Sequence, residues 1–289
     1  MSLLKKFLKP IIIYVFIPFL FISLTIYLIS YSAVSKVNPI YKDKLIVHYI
    51  DVGQADSILV QVNGKNLLID AGSIDSKDKL VSYLKKQGVH KLDYVIATHP
   101  HEDHIGGMST VIKKFTIGEF FAPKKLSNTN VFENMITALK DTKIKTAKAG
   151  VKINLGANTI CEMLAPNNSE YDDINNYSAV IKLTYINNKF LFMGDAQKLS
   201  EDEIINSNAD ISSDVIKIGH HGSSTSSSKE FLDKVKPKIA VISCGRGNQF
   251  GHPNKGTISE LKNRRSTIYR TDIVGTVILI SDGNTIKKQ

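Results

Sequence analysis

Five of the chain's eight histidines fall in two short windows: His99, His101 and His104 within HPHEDH, and His220 with His221 within GHHGS. Neutral imidazoles bind divalent metals through nitrogen and carboxylates bind them through oxygen, so HPHEDH, which also holds Asp103, reads as a ligand cluster. His99 and His101, one residue apart, can hold one ion while Asp103 and His104 face another. A third window, FLFMGD, places Asp195 after an apolar run and Gly194, where a carboxylate can bridge two ions. Ligands gathered from several strand ends leave open positions for water, as catalytic metal sites do and closed structural ones do not. The chemistry implied is hydrolysis by a metal-activated water.

Such residues need strands that end at one edge. Apolar runs of strand length recur between turn residues: LIVHYI, SILVQV, NLLID, DYVIAT, SAVIKLTY, KFLFMGD, DVIKIG, KIAVIS and GTVILIS. Between them, residues 77–87, 131–139, 200–206 and 230–235 carry helical spacing. Two series of strands with helices interspersed predict an α/β fold of two sheets sandwiched between helices, because each sheet must cover its outer face. His48 alternates within a strand and His90 sits in a loop, and neither is assigned a role. Cys161 and Cys244 form no CxxC pair, which excludes a disulfide scaffold and a Cys-rich zinc ribbon.

These motifs resemble the metallo-beta-lactamase fold superfamily, whose HxHxDH signature is matched by His99, His101, Asp103 and His104. Within it the sequence is most similar to the hydrolase domain at the C-terminus of ComEC-type DNA-internalisation competence proteins. YIDVGQADSILV with LLIDAG, HPHEDHIGG, FMGD, and IGHHGSSTSSS followed by FGHP carry the likeness, from about Lys44 to the C-terminus. The many-helix channel of those proteins has no counterpart in this sequence, so a stand-alone, singly tethered version is expected. The resemblance implies a four-layer αββα sandwich. It also implies two divalent ions, zinc with manganese as the alternative: His99 and His101 on the first, Asp103, His104 and one of the paired histidines on the second, Asp195 between them. His220 is expected to ligate, because it directly follows the strand-terminating glycine, and His221 to face substrate. Asp70 and Asp56 are expected behind the ligands, Asp70 orienting an imidazole or capping the turn before Gly72.

Two departures from the superfamily matter. No histidine occurs from Ile105 to Gly219, so the first metal is one imidazole short, which disfavours lactam hydrolysis and leaves a one-metal form open. Asn176 and Ser178, in NNYSAV, stand in that region and are expected to contact water or phosphate. The GQGD loop reads GQAD, with Ala55 where glycine would permit tighter backbone approach.

The expected reaction is phosphodiester hydrolysis, with DNA as the substrate. Asp103 or Asp195 would accept the water's proton, and His252, in FGHP, would steady phosphoryl oxygens or protonate a leaving alkoxide. Ser223 and Ser224 would donate hydrogen bonds to phosphate, a helix N-cap being the alternative for one of them. A cell-wall or lipid phosphodiester, such as a choline-phosphate ester, is the second enzyme reading, and a non-catalytic nucleic-acid-binding module the third. The 37 Lys and Arg against 27 Asp and Glu give a net charge of +10, which suits an anionic partner or membrane face. Arg246, Lys255, Arg264 and Arg265 are expected near the mouth. The sequence shows no aromatic stacking platform of the kind single strands prefer, and it names no protein partner.

Four segments are expected: a basic tail at 1–9, a transmembrane anchor at 10–33, a linker at 34–44 and the hydrolase domain at 45–289. Residues 10–35 hold no charged side chain, and roughly 20 helical residues cross a bilayer. A cleaved signal peptide is the alternative, but the apolar run is too long for one. Lys5, Lys6 and Lys9 abut the run and favour an inside N-terminus, which puts the domain outside the cytoplasm of a single-pass membrane protein.

Overall fold

The computed structural model describes Ser23, Thr25 and residues 43–289. The chain divides into units of residues 1–42 and 43–289, and the fold below is that of the second. The basic tail, the rest of the anchor and all but the end of the linker lie outside the described residues, so the inside N-terminus and the signal-peptide alternative do too. Among the described residues no helix is long and apolar enough to cross a membrane.

Residues 43–289 form two sheets. The first contains β1 (Leu45–Tyr49), β2 (Ile58–Val62), β3 (Lys65–Ile69), β4 (Lys91–Ile96), β5 (Thr116–Ala122) and β6 (Ile144–Thr146) in that order. The second contains β7 (Lys152–Ile153), β8 (Thr159–Ala165), β9 (Val180–Tyr185), β10 (Asn188–Phe192), β11 (Val215–Lys217), β12 (Ile239–Ile242) and β13 (Thr267–Arg270), also in order. Strand β14 (Val277–Ser281) returns to pair with β1, and β15 (Ile286–Lys288) follows at the edge. In each sheet one half is antiparallel and the other parallel, the parallel strands being β3 to β6 and β10 to β13.

Alternation along the strands explains the layering. Leu67 and Ile69 of β3 face Phe190 and Phe192 of β10 in the core between the sheets. The intervening Leu68 packs outward beneath α1 (Lys77–Lys86), α3 (Met108–Lys114) and α4 (Asn130–Leu139), against Leu84, Met108 and Met135. On the other sheet Leu191 and Ile216 face outward beneath α5 (Lys198–Asn206), α6 (Lys229–Val235) and α7 (Lys255–Asn263). Central strands are thus buried on both faces, which is why they read as uninterrupted apolar runs. The expected four-layer αββα sandwich is the observed one. Short helices α2 (Glu102–Ile105) and α8 (Thr271–Val274) complete the set. Cys161 and Cys244 are both free and buried, one between the sheets and one under the outer helices.

Candidate metal centre

The chain leaving β3, β4, β10, β11 and β12 brings its polar residues to one edge. Asp70 follows β3 with φ 59° and is buried. Its Oδ1 accepts the Thr98 amide at 2.8 Å and its Oδ2 accepts the Thr98 hydroxyl at 2.7 Å. The same Oδ2 lies 2.8 Å from His104 Nδ1, which leaves His104 Nε2 bare on the opposite side of the ring. The Asp70 carboxylate orients an imidazole and braces Thr98, whereas the Gly72 amide of the expected cap donates to the Asp56 carbonyl at 2.8 Å. Gly107 lets HPHEDH sit against that turn, since a Cβ there would collide with the Ala71 carbonyl, and its amide donates to Gly72 O at 3.1 Å.

Donor atoms of Asp103, His104, Asp195 and His221 all lie within 4.8 Å of one another. His104 Nε2 is 3.3 Å from Asp195 Oδ1, and His221 Nε2 is 3.1 Å from Asp103 Oδ2. Beside them, His99 Nε2 and His101 Nδ1 face each other at 3.0 Å, and the His99 ring lies 4.2 Å from that of His104. HPHEDH, Asp195 and the HH pair therefore converge, as their spacing along the chain predicts.

The HH pair is exchanged relative to expectation. His221 is buried and joins the cluster, its Nδ1 2.9 Å from the Ser243 carbonyl, so that Nε2 turns to the carboxylates. His220 is partly exposed, with Nδ1 3.1 Å from Thr225 Oγ1 and Nε2 3.7 Å from Asp195 Oδ2. Both histidines are left-handed, with φ 48° and 52°, and the Ser243 carbonyl holds the second ring inside while Thr225 holds the first at the surface. Non-glycine residues held there carry strain, which is characteristic of functional sites.

Electrostatics show what the cluster needs. Burial alone would lower the basicity of His104, but Asp195, Asp103 and Asp70 prevail and push it well above the ordinary imidazole range. His221 rises similarly, against burial, through Asp195, Asp56 and Asp103. Burial would raise the Asp195 and Asp103 carboxyls, yet the neighbouring imidazoles hold both below the carboxylate range. In His99, burial and then His104 lower the imidazole well below its usual range, so it is held neutral. His104 Nε2 and Asp195 Oδ1 are buried and face each other at 3.3 Å, with no hydrogen-bond partner besides. Converging carboxylates and imidazoles that call for positive charge, with two donor atoms sealed face to face among them, fit a divalent metal that takes the place of protons. The site is dinuclear in form, the first half being the poorer with its two imidazoles.

Several expected contacts fall elsewhere. Ser178 is buried beneath the centre, its Oγ accepting the Asp195 amide at 3.0 Å and lying 3.3 Å from His99 Nδ1, so it positions ligands and is sealed from substrate. Asn176 is buried too, its Oδ1 accepting the Gln197 amide at 3.2 Å. The Ser223 hydroxyl turns to Thr225, at 3.1 Å, while Ser224 is exposed. Neither caps a helix: Ser228 does, accepting the Phe231 amide of α6. Ala55 is buried, its methyl group packed in the apolar layer beneath the outer helices. Arg264 and Arg265 line a cavity of about 560 Å³ with Lys238 and Thr267, at the starts of β12 and β13 and hence at the opposite edge from the metal centre. His252 does reach the site, its ring 5.5 Å from His220 and 6.4 Å from His221.

Three contributors escape sequence reasoning. Lys217, fully buried at the end of β11, pairs with Asp56 Oδ2, while Asp56 Oδ1 lies 3.6 Å from His221 Nδ1. A lone lysine inside the apolar run VIKIG was the available signal. Thr98 has no distinguishing pattern. Gln54 accepts the Gly245 amide at 2.9 Å and donates to His252 Nδ1 at 3.4 Å, through a close approach that glycine at 245 permits.

A family profile, the metallo-beta-lactamase superfamily, matches residues 50–246. ComE operon protein 3 of Bacillus subtilis is 29% identical over 80% of this chain and 32% of its own length. Competence protein ComA of Neisseria gonorrhoeae is 29% identical over 78% of this chain and 31% of its own. The chain thus spans about a third of the length of these relatives, and their names bear out the expected likeness to competence proteins. Among solved structures, the metallo-beta-lactamase fold protein YhfI of Bacillus subtilis superposes with a TM-score of 0.55 at 14% identity, covering 83% of this chain and 100% of that one.

Proposed function

Since this chain belongs to the metallo-beta-lactamase superfamily, we propose that it is a metal-dependent phosphodiesterase that cleaves DNA, anchored by residues 10–33 to the outer face of a membrane. The observation that carries the hydrolytic reading is the Asp103, His104, Asp195 and His221 cluster, whose donor atoms converge within 4.8 Å with His104 Nε2 and Asp195 Oδ1 sealed face to face. The DNA reading is supported by relatives named for competence and by the +10 charge.

His99 and His101 would hold one ion, Asp103, His104 and His221 the other, and Asp195 would lie between them, with zinc as the preferred metal. Bound there, a pair of divalent ions lowers the pKa of water and neutralises charge on phosphoryl oxygens. The remaining work falls to the chain. Asp70 and the Ser243 carbonyl fix the rings of His104 and His221, and Ser178 holds Asp195 through its amide. Asp103, the only one of the centre's carboxylates open to solvent, can take a proton from the attacking water at Oδ2 and release it outward. Burial, then His221 and His220, lower the His252 imidazole, so it is neutral. With Gln54 donating to Nδ1, its Nε2 carries the hydrogen and can donate to a phosphoryl oxygen.

The test is turnover by the purified, metal-loaded chain of linear DNA, bis-nitrophenyl phosphate and a choline-phosphate ester. DNA cleavage that disappears in Asp195→Asn supports the proposal. Turnover of the choline-phosphate ester alone would move the substrate to a lipid or cell-wall phosphodiester, and bound metal with no turnover would favour a binding module.

A further inference from the structure

Phe250 lies in the loop after β12 that returns to His252, and the residue is 61% exposed. It stacks on His252 at 5.8 Å with 25° between the planes, and His252 stacks on His221 at 6.4 Å and 23°. Three near-parallel rings therefore step outward from the buried cluster to solvent, and the outermost is an unbonded phenyl group. The loop that presents it is fixed. Asn248 accepts the His252 amide at 3.0 Å and donates to the carbonyls of His252 and Gly245 at 2.6 and 2.9 Å. Residues 245–255 carry Arg246 and Lys255, both exposed, and no carboxylate. Arg246 uses its Nε on the Asp272 carbonyl.

We propose that Phe250 is a stacking platform for the nucleobase beside the scissile phosphate, which makes the substrate an unpaired nucleic-acid strand. This rests on the phosphodiesterase reading and narrows it. Inside a duplex both faces of each base are already covered by neighbours, so away from its ends only an unpaired base can lay a face on a protein ring. A nucleotide stacked there has its own phosphates within the basic loop and the adjacent phosphate directed along the ring staircase to the metal centre. The ring is held in place before substrate arrives, so little ordering cost opposes the contact. Phe250 thus supplies the aromatic platform that sequence inspection does not reveal.

The test measures binding in the Asp195→Asn background, so that no cleavage intervenes, using the full chain and a fluorescent single-stranded oligodeoxynucleotide, its duplex, and an abasic strand. Phe250→Ala and Phe250→Leu are each expected to weaken single-strand binding by roughly 5- to 100-fold, with Phe250→Trp retaining it. The advantage of the base-bearing strand over the abasic one should vanish in the alanine variant. Single-strand affinity unchanged in Phe250→Ala overturns the inference, as does equal affinity for duplex. Retention in Phe250→Leu also overturns it, because an acyl chain or any apolar group would then serve as well as a base. Cleavage by the parent chain is scored separately: stacking without cleavage would sink the phosphodiesterase reading alone.

Discussion

Asp70 Oδ2 lies 2.8 Å from His104 Nδ1, and neither side chain touches solvent. The carboxylate fixes the ring so that only Nε2 is available to metal. Asp70→Asn keeps the size but loses the charge, and metal affinity is expected to fall roughly 10- to 100-fold. Competition with a chromogenic chelator measures it; unchanged affinity would mean that Asp70 serves only to brace Thr98.

The histidine pair separates by role. His221→Ala should remove the ion held with Asp103 and His104, seen as a loss of metal per chain by elemental analysis, whereas His220→Ala should keep its metal. The opposite result would restore the order expected from the sequence.

Lys217 and Asp56 form a buried ion pair beneath the centre. Lys217→Met leaves the Asp56 charge unpaired in a dry site, at a cost of about 3–5 kcal/mol. Adding Asp56→Leu should recover much of that loss. Urea denaturation of the three proteins checks this, and a Lys217→Met variant as stable as the parent would show that water reaches the site.

His48 gives the fold an acid limit away from the metal. Burial lowers its imidazole from 6.5 to about 4, opposed only weakly by Gln61, and its Nδ1 lies 2.8 Å from the Tyr83 hydroxyl. The unfolded chain takes up the proton first, so stability present above pH 6.5 is lost as pH falls towards 4, by about 3 kcal/mol. In His48→Leu the decline across that window should be shallower by this amount; parallel stability curves for the two proteins would refute it.

How much was legible depends on burial. The runs of β3, β10 and β12 stand out because both faces are covered, whereas β5, TIGEFFA, and β8, TICEMLA, mix polar and apolar residues and pass unnoticed. Helix α7 escaped because its apolar face is narrow, with only Thr257 and Leu261 buried.

At the site, the sequence by itself determined the ligand types, the two sheets sandwiched between helices and the meeting of HPHEDH with Asp195 and the HH pair. These follow from chemistry and periodicity, which are local properties of the chain. Only tertiary structure decided that His221 turns inward and His220 outward, that Ser178 supports Asp195, and that Lys217 neutralises Asp56. Each depends on a backbone dihedral or on a distance between strand ends, quantities set by the packing of segments that the sequence does not place side by side.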